Sequence, residues 1–407
     1  MENRMRSTIR MMALGLLSIS LGWAQDEPVA RVQAIKATAQ GASPVLKQKR
    51  PTDAQPFPDS VHSTGYIKDR YITDNNTIAT LEFLIGGRVA ISKGADIEII
   101  NEHSVADSKV SVKRIVMKTG TLWVKADAKQ LKQPLEIQTA GGVMGIKGTE
   151  FTVDANPSGN VEVCCFESNS SQGGVELRDS SGKVVSLVKP GDEVTIQDWK
   201  KAPVVKNSGD INGLRSSKSQ QYFGNEATTV IDWMNRPIPV FGSLSNMAFW
   251  MGDGGTVSQI VSYAGAVIQI VNNPAQAGVD FATSYANSRI PGPFGIPSFS
   301  VGGGKSDPDF PTQLVPDAQK GSGQASSRPS FSWKGVDGSD GYVVLVAKDE
   351  DCGEVVYSTR TSGTQLAYPS DHRPLAPGKY FWRIIPVDAQ DKPTEAKGSQ
   401  TYFTVGS

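Results

Sequence analysis

Apolar and polar residues alternate in short runs over much of this chain, the period-two signature of half-buried strands. The densest series reads LEIQT (Leu135–Thr139), VEVCCF (Val161–Phe166), VELR (Val175–Arg178), KVVSLV (Lys183–Val188) and EVTIQ (Glu193–Gln197), with a Pro190-Gly191 turn before the last. At its centre GGVMGIKGTEFTVD (Gly141–Asp154) runs a glycine-punctuated turn into a strand, where Phe151 and Val153 alternate with Thr152 and Asp154. Gly145 and Gly148 are expected to take backbone angles closed to other residues. GGRVAI (Gly86–Ile91), ADIEI (Ala95–Ile99) and KRIVMKTGTLWVKA (Lys113–Ala126) carry the same alternation upstream. Trp123 and Phe151 are the natural core anchors. Lys125, Glu136, Glu150 and Asp154 fall on alternate positions and read as solvated strand faces. Parallel solenoid, β-roll and sandwich all bury alternating positions and turn at glycine, so the pattern admits each.

Thr139, Gly148, Thr149, Phe151, Val153, Pro190 and Gly191 carry a resemblance to the FecR-type domain, named for the periplasmic ferric-citrate regulator. The resemblance covers roughly Ile78 to Gln197. It implies a compact, roll-like all-β architecture and a role in binding or regulation at the cell envelope. In the best-known members a cytoplasmic helical segment and a transmembrane helix precede this domain, and they relay a signal from an outer-membrane receptor to a sigma factor.

This chain opens differently. Arg4, Arg6 and Arg10 precede a short apolar core, Met11–Leu21, and Gly22-Trp23-Ala24 supplies the small residues of a cleavage site. A secretory signal over 1–24 is expected, because a membrane span needs about 20 apolar residues. No cysteine follows that core, so nothing supports a lipid anchor. Residues 25–60 are polar and proline-bearing, and read as a flexible leader with Lys47, Lys49 and Arg50 in solvent. The first folded domain is expected over 63–199. Residues 200–328 are rich in glycine, proline, serine and asparagine and read as a linker region. Within it Val257, Ile260, Val261, Ala264, Val267, Ile268 and Val271 make one apolar stripe, predicting a helix over 256–271. SVGGGKSDPDF (Ser300–Phe310) lacks the first glycine of a phosphate-cradling loop, that position being Phe299.

The last stretch, 329–407, returns to strands: PSFSW (Pro329–Trp333), GYVVLVAKD (Gly341–Asp349), LAPGKYFWRIIPVD (Leu375–Asp388) and a closing TYFTV. Trp333, with Leu375, Pro377, Gly378 and Tyr380, resembles the core tryptophan and Leu-x-Pro-Gly-x-Tyr corner of a fibronectin type III domain. The resemblance implies a sandwich whose corner tyrosine bonds back to the preceding turn. It implies a spacer or second contact, with no chemistry.

Composition narrows the function. A chain of 407 residues suggests two or three domains. Its 41 basic and 41 acidic residues leave no net charge, hence no bulk field drawing in nucleic acid or an anionic membrane. The cysteines are Cys164, Cys165 and Cys352, and adjacent cysteines meet disulfide geometry poorly. Alternation puts Cys165 on the face of Val161 and Val163 and Cys164 on the other, both as small buried hydrophobes. His62, His103 and His372 are scattered and read as solvated, and neither GxSxG nor HExxH occurs. The acidic clusters Asp337-Gly338-Ser339-Asp340 and Asp349-Glu350-Asp351 read as turn chemistry rather than a calcium loop.

The sequence therefore predicts a mainly β protein: a compact all-β FecR-type roll or solenoid-like domain, a mixed linker with one helix, and a C-terminal fibronectin type III-like β-sandwich. The expected function is a non-enzymatic, exported envelope binding or scaffolding protein, periplasmic or at the cell surface, serving as a sensor or regulatory component. An accessory module of envelope glycan processing is the alternative. No catalytic, cofactor-binding or metal-ligating residue is assigned and no cofactor is expected. The partner is an envelope protein or glycan, not nucleic acid, and the mature chain is expected to lack a transmembrane segment.

Overall fold

The computed structural model describes residues 28–236 and 311–406, apart from 106, 108, 130, 132, 170–172, 319–322, 351, 390–393 and 395–397. The secretory signal expected over 1–24, the helix expected over 256–271 and the glycine-rich sequence at 300–310 lie outside the described residues.

The chain begins with β1 (Pro28–Ala37), β2 (Leu46–Lys49), β3 (Phe57–Pro58) and β4 (Thr64–Tyr66). There follow β5 (Arg70–Thr73), β6 (Thr77–Phe83), β7 (Gly87–Ile91), β8 (Asp96–His103) and the long β9 (Ser111–Ala126). Next come β10 (Leu135–Gln138), β11 (Gly142–Ile146), β12 (Thr149–Ala155) and β13 (Val161–Ser168). The series ends with β14 (Val175–Asp179), β15 (Val184–Val188), β16 (Asp192–Ile196) and β17 (Val204–Asn207).

Two sheets result, with β9 in both. The first runs β4-β1-β6-β7-β9-β12-β13-β16-β17 with every pair antiparallel. The second runs β3-β2-β5-β8-β9-β10-β11-β14-β15, and its β9–β10 pair is parallel. Ser111–Thr119 of β9 pair with β8, and Gly120–Ala126 pair with β12 and β7 in the other sheet. The corner falls at Gly120, whose φ is 101° and whose missing Cβ would stand 2.5 Å from Ala95 Cα. Only glycine permits both that angle and that approach.

Of the three architectures the alternation admits, the strands thus form two sheets face to face. Between them lie Val32, Leu81, Phe83, Val89, Leu122 and Phe151 from one sheet and Leu46, Ile97, Ile115, Ile137, Met144 and Leu177 from the other. Each such fully buried side chain contributes roughly 1.5–3 kcal/mol.

Two expectations change here. Residues 28–60 are not a leader, because β1 lies along β6 and buries Val29, Ala30 and Val32, while β2 buries Leu46. A few apolar groups suffice there because the rest of the sandwich supplies the surface they pack on. The region beginning at 200 is not all linker either. It holds β17, then α1 (Ile211–Phe223) and α2 (Ala227–Asn235). Asp210 caps α1 by accepting the Gly213 N–H at 2.9 Å, and Gly224 at φ 56° ends it. The helices cover the outer face of the first sheet, where Tyr222, Phe223, Val230 and Met234 bury Ile78, Ala90, Trp123, Cys164 and Phe166.

The C-terminal strands are β18 (Thr312–Val315), β19 (Gln324–Ala325), β20 (Ser330–Lys334) and β21 (Gly341–Ala347), then β22 (Val355–Thr361), β23 (Gln365–Ala367), β24 (Gly378–Val387) and β25 (Ser399–Val405). They make a sheet β18-β20-β23 and a sheet β19-β25-β24-β21-β22. Phe331, Trp333, Trp382 and Phe403 form its aromatic core, with Phe331 and Trp382 rings 4.9 Å apart.

Candidate functional site

Alternation along β12 and β13 sends Phe151, Val153, Val163 and Cys165 into the inter-sheet core and Cys164 and Phe166 toward the helices. Glu150 lies on the helix side and is 2 % exposed. Its Oε1 accepts Trp123 Nε1 at 3.2 Å and Arg215 Nε at 2.7 Å, and its Oε2 accepts Lys125 Nζ at 2.8 Å. Arg215 comes from α1 and also donates to Asn235 Oδ1 at 2.8 Å, tying the two helices to the sheet. Arg88 on β7 completes the attachment. Its Nη1 donates to the carbonyls of Trp233 and Arg236 at 2.8 and 2.6 Å, at the C-terminal end of α2, where a cation is favoured.

Beside this network is a cleft of about 310 Å³ lined by Lys125, Gly148, Thr149, Glu150, Glu167, Asn169, Asn235 and Arg236. Gly148 forms its turn at φ 82°, with the place of a Cβ 2.6 Å from Ala128 Cβ. Thr149 is buried, and its hydroxyl has no hydrogen-bond partner among the described residues. The cleft offers hydroxyl, amide and opposed charges, which suits hydrogen bonding to a polar group. Glu150, engaged by three donors, positions its neighbours.

The expected positions distribute as follows. Phe151 and Val153 are core residues, and Gly148 and Thr149 line the cleft. Thr139 lies apart, its hydroxyl 3.3 Å from the Gly142 carbonyl. Gly145 has no positive φ, and its Cβ position faces open space between Glu136 and Glu176, so neither angle nor room requires glycine there. Pro190 and Gly191 turn β15 into β16, with Gly191 at φ 90°. Trp333 meets Tyr342 edge-on at 5.4 Å, and its buried indole nitrogen has no hydrogen-bond partner among the described residues. Leu375 and Tyr380 are buried, and the Tyr380 hydroxyl donates to the Ala376 carbonyl at 3.0 Å across the Pro377-Gly378 turn.

The supposed solvated alternates are mostly covered. Glu136 is 6 % exposed, pairing with Arg114 at 2.9 Å and accepting from Ser104 at 2.6 Å. Asp154 accepts from Thr121 at 2.6 Å. Period-two reading locates a face but cannot say that helices or a loop will close over it.

A second polar assembly joins the two β bodies. Arg373 forks onto Asp53 and gives Nη1 to Gln48 Oε1 at 2.8 Å. Arg31 Nη2 donates to the Gly353 carbonyl at 2.8 Å, Tyr66 to Glu354 Oε2 at 3.1 Å, and Ser358 N–H to Ser60 Oγ at 3.1 Å. His62, read as solvated, lies here with Nδ1 3.4 Å from Ser358 Oγ. Burial, then the Arg31 charge, lowers its pKa to about 4. Asp69 is pushed up to about 7 by burial, against the pull of Arg50 and the Tyr66 N–H. Asp349 spends its carboxylate on the turn, accepting the Gly353 and Glu354 N–H groups at 2.8 and 2.6 Å.

No curated protein matches the sequence. Two crystal structures of a candidate anti-sigma factor from Parabacteroides distasonis show 15% and 14% identity, with TM-scores of 0.25 and 0.28. The matches cover 34% and 37% of this chain and 56% and 64% of theirs, so the chain spans less than two thirds of those proteins. Residues 69–169, from the end of the domain seam through the Gly148 turn to β13, match the family described as FecR protein.

Proposed function

We propose that this chain is a non-catalytic, exported component of the cell envelope that holds a partner protein and acts as a regulatory or sensor element of the FecR type. The observation that carries this reading is the family match over 69–169, which spans the strands around the polar cleft. The state of the reactive groups supports it. Burial pushes the Cys164 and Cys165 thiols up to about 12, which keeps them protonated and weakly nucleophilic at neutral pH. The C-terminal strands, with Trp333 in the core and the Tyr380 corner, support a fibronectin type III-like body acting as a second contact or spacer.

One experiment tests this. The full chain, tagged at its C-terminus, is expressed in a Gram-negative host, the cells are fractionated, and cross-linked complexes are recovered from each fraction. The expected result is tagged protein in the periplasmic or envelope fraction, cross-linked to an outer-membrane receptor or a membrane regulator. Product confined to the cytosol contradicts export. Release of soluble fragments when the purified protein is incubated with peptidoglycan contradicts the non-catalytic reading.

A further inference from the structure

The two ends of the sandwich differ. At one end the edge strands β4 and β3, with their neighbours, are covered by the C-terminal body through the Tyr66–Glu354, Ser60–Ser358 and Arg373–Asp53 contacts. At the other end the edges are β17 and β15. All four residues of β17 are exposed, Val204 at 60% and Val205 at 52%, and Val184 on β15 is exposed at 44%. Consecutive exposed valines mean that neither face of β17 is packed.

The ladder shows which backbone groups remain open. Ser208 N–H donates to the Gly191 carbonyl at 2.8 Å, and β17 pairs Lys206 with Glu193 and Val204 with Thr195. In an antiparallel ladder bonded and unbonded residues alternate. Val204 and Lys206 therefore bond to β16, and the N–H and C=O of Val205 and Asn207 point outward. A row of open backbone groups beside apolar side chains is a template for another strand.

Charge selects that strand. Lys183, Lys189, Lys200, Lys201 and Lys206 are exposed at this end, with Lys201 at 80% and Lys206 at 73% by side chain. Of the nearby acids, Asp192 is engaged by Asn207, Glu193 by Lys218 at 3.3 Å and Lys206 at 4.0 Å, and the exposed Asp198 lies 3.6 Å from Lys201, so the five exposed lysines still outnumber the acids they meet. Pairing two copies edge to edge would bring like lysines together, which disfavours self-association.

We infer that β17 is a docking edge for an extended, acidic strand of a partner protein, added to the first sheet antiparallel or parallel to β17. The inference rests on the partner-holding reading above and names the edge and the chemistry it accepts. The same lysines that admit an acidic strand keep the edge from pairing with its own copies.

The test uses the intact chain and two synthetic peptides of alternating valine and charged residues, one with glutamate and one with lysine. Binding is followed by fluorescence anisotropy at low and high salt, and amide exchange is followed across 203–208. The expected result is salt-sensitive binding of the glutamate peptide only, with slowed exchange at Val205 and Asn207. Val205→Pro removes one outward N–H, leaves the bonds to β16 in place, and is expected to weaken that binding at least about tenfold with the melting temperature held. The double substitution Lys201→Glu with Lys206→Glu is expected to reverse the peptide preference. Binding that leaves Val205 and Asn207 exchange unchanged overturns the inference. So does protection of both amides in the free protein, which would mean that the edge is covered by the chain itself, and so does dimerisation abolished by Val205→Pro. If Val205→Pro still cross-links its envelope partner in cells, the partner-holding reading stands and the edge assignment fails.

Discussion

Arg373 Nη2 lies 2.6 Å from Asp53 Oδ2 across 320 residues of chain, and Arg373 Nε lies 3.1 Å from the same oxygen. This fork closes the seam between the two β bodies. Burial raises the Asp53 carboxyl, but the Arg373 and Arg50 hydrogen bonds outweigh it, so its net position is below the ordinary value. The stability Asp53 adds is present above the ordinary carboxylate range and is lost as pH falls through its lowered native value. Arg373→Ala is expected to destabilise the chain by about 1–3 kcal/mol at neutral pH, read by urea denaturation. The deficit should shrink in acid.

Glu150 is the charge on which the helices hang. Glu150→Ala strips Trp123, Lys125 and Arg215 of their common acceptor and leaves two cations near a closed face. Breaking a buried ion pair from one side costs about 3–5 kcal/mol. Denaturation should report a loss of that order, and limited proteolysis should cut first within 211–235.

The two glycines of the turn should part company. Gly148→Val forces a β-branched residue to φ 82° and into Ala128, and a loss above about 2 kcal/mol is expected. Gly145→Val meets nothing within 4 Å in a strand position, so its melting temperature should hold or rise.

His62 gives the seam an acid-sensitive component. With its native pKa lowered to about 4, protons bind the unfolded imidazole first. Its contribution is therefore complete above its ordinary value of about 6.5 and is lost as pH falls toward 4. Asp69, raised to about 7, works in the opposite sense, since protonation below 7 favours the folded form. The difference between wild type and His62→Gln isolates the histidine. The substitution should remove the loss of stability that the histidine causes between pH 6.5 and 4, so that the variant gains on wild type as pH falls through that range, and leave the opposing Asp69 component in place.

Legibility in the sequence followed the physics of each signal. Strands from Gly86 to Gln197 are readable because alternation is the direct imprint of a half-buried sheet, and the same logic puts Cys165 between the sheets and Cys164 under the helices. The segment 28–60 is not readable in this way. Its apolar residues are sparse, and what orders β1 is a partner surface on β6, distant in sequence. The α1 helix has weak apolar periodicity and is held in part by Arg215 on the buried Glu150 and by Lys218 and Tyr222 on the half-buried Glu162, a polar attachment that no hydrophobic pattern announces. The sequence marks Gly148 and Thr149 as part of a turn motif but gives no sign of the cleft they line or of Asn235 and Arg236 in it, because only the fold brings α2 to that turn. His62 reads as surface because nothing near it in sequence reveals the Ser358 body that covers it.

The two-sheet sandwich is closed at one end by the C-terminal body, and its β17 edge at the other end is the one proposed to take a partner strand. Residue-resolved amide exchange on the intact chain at neutral pH tests that asymmetry most directly. Slow exchange at Tyr66 and Ser358, with rapid exchange at Val205 and Asn207, is the predicted result. Rapid exchange at the seam with protection along β17 would contradict it.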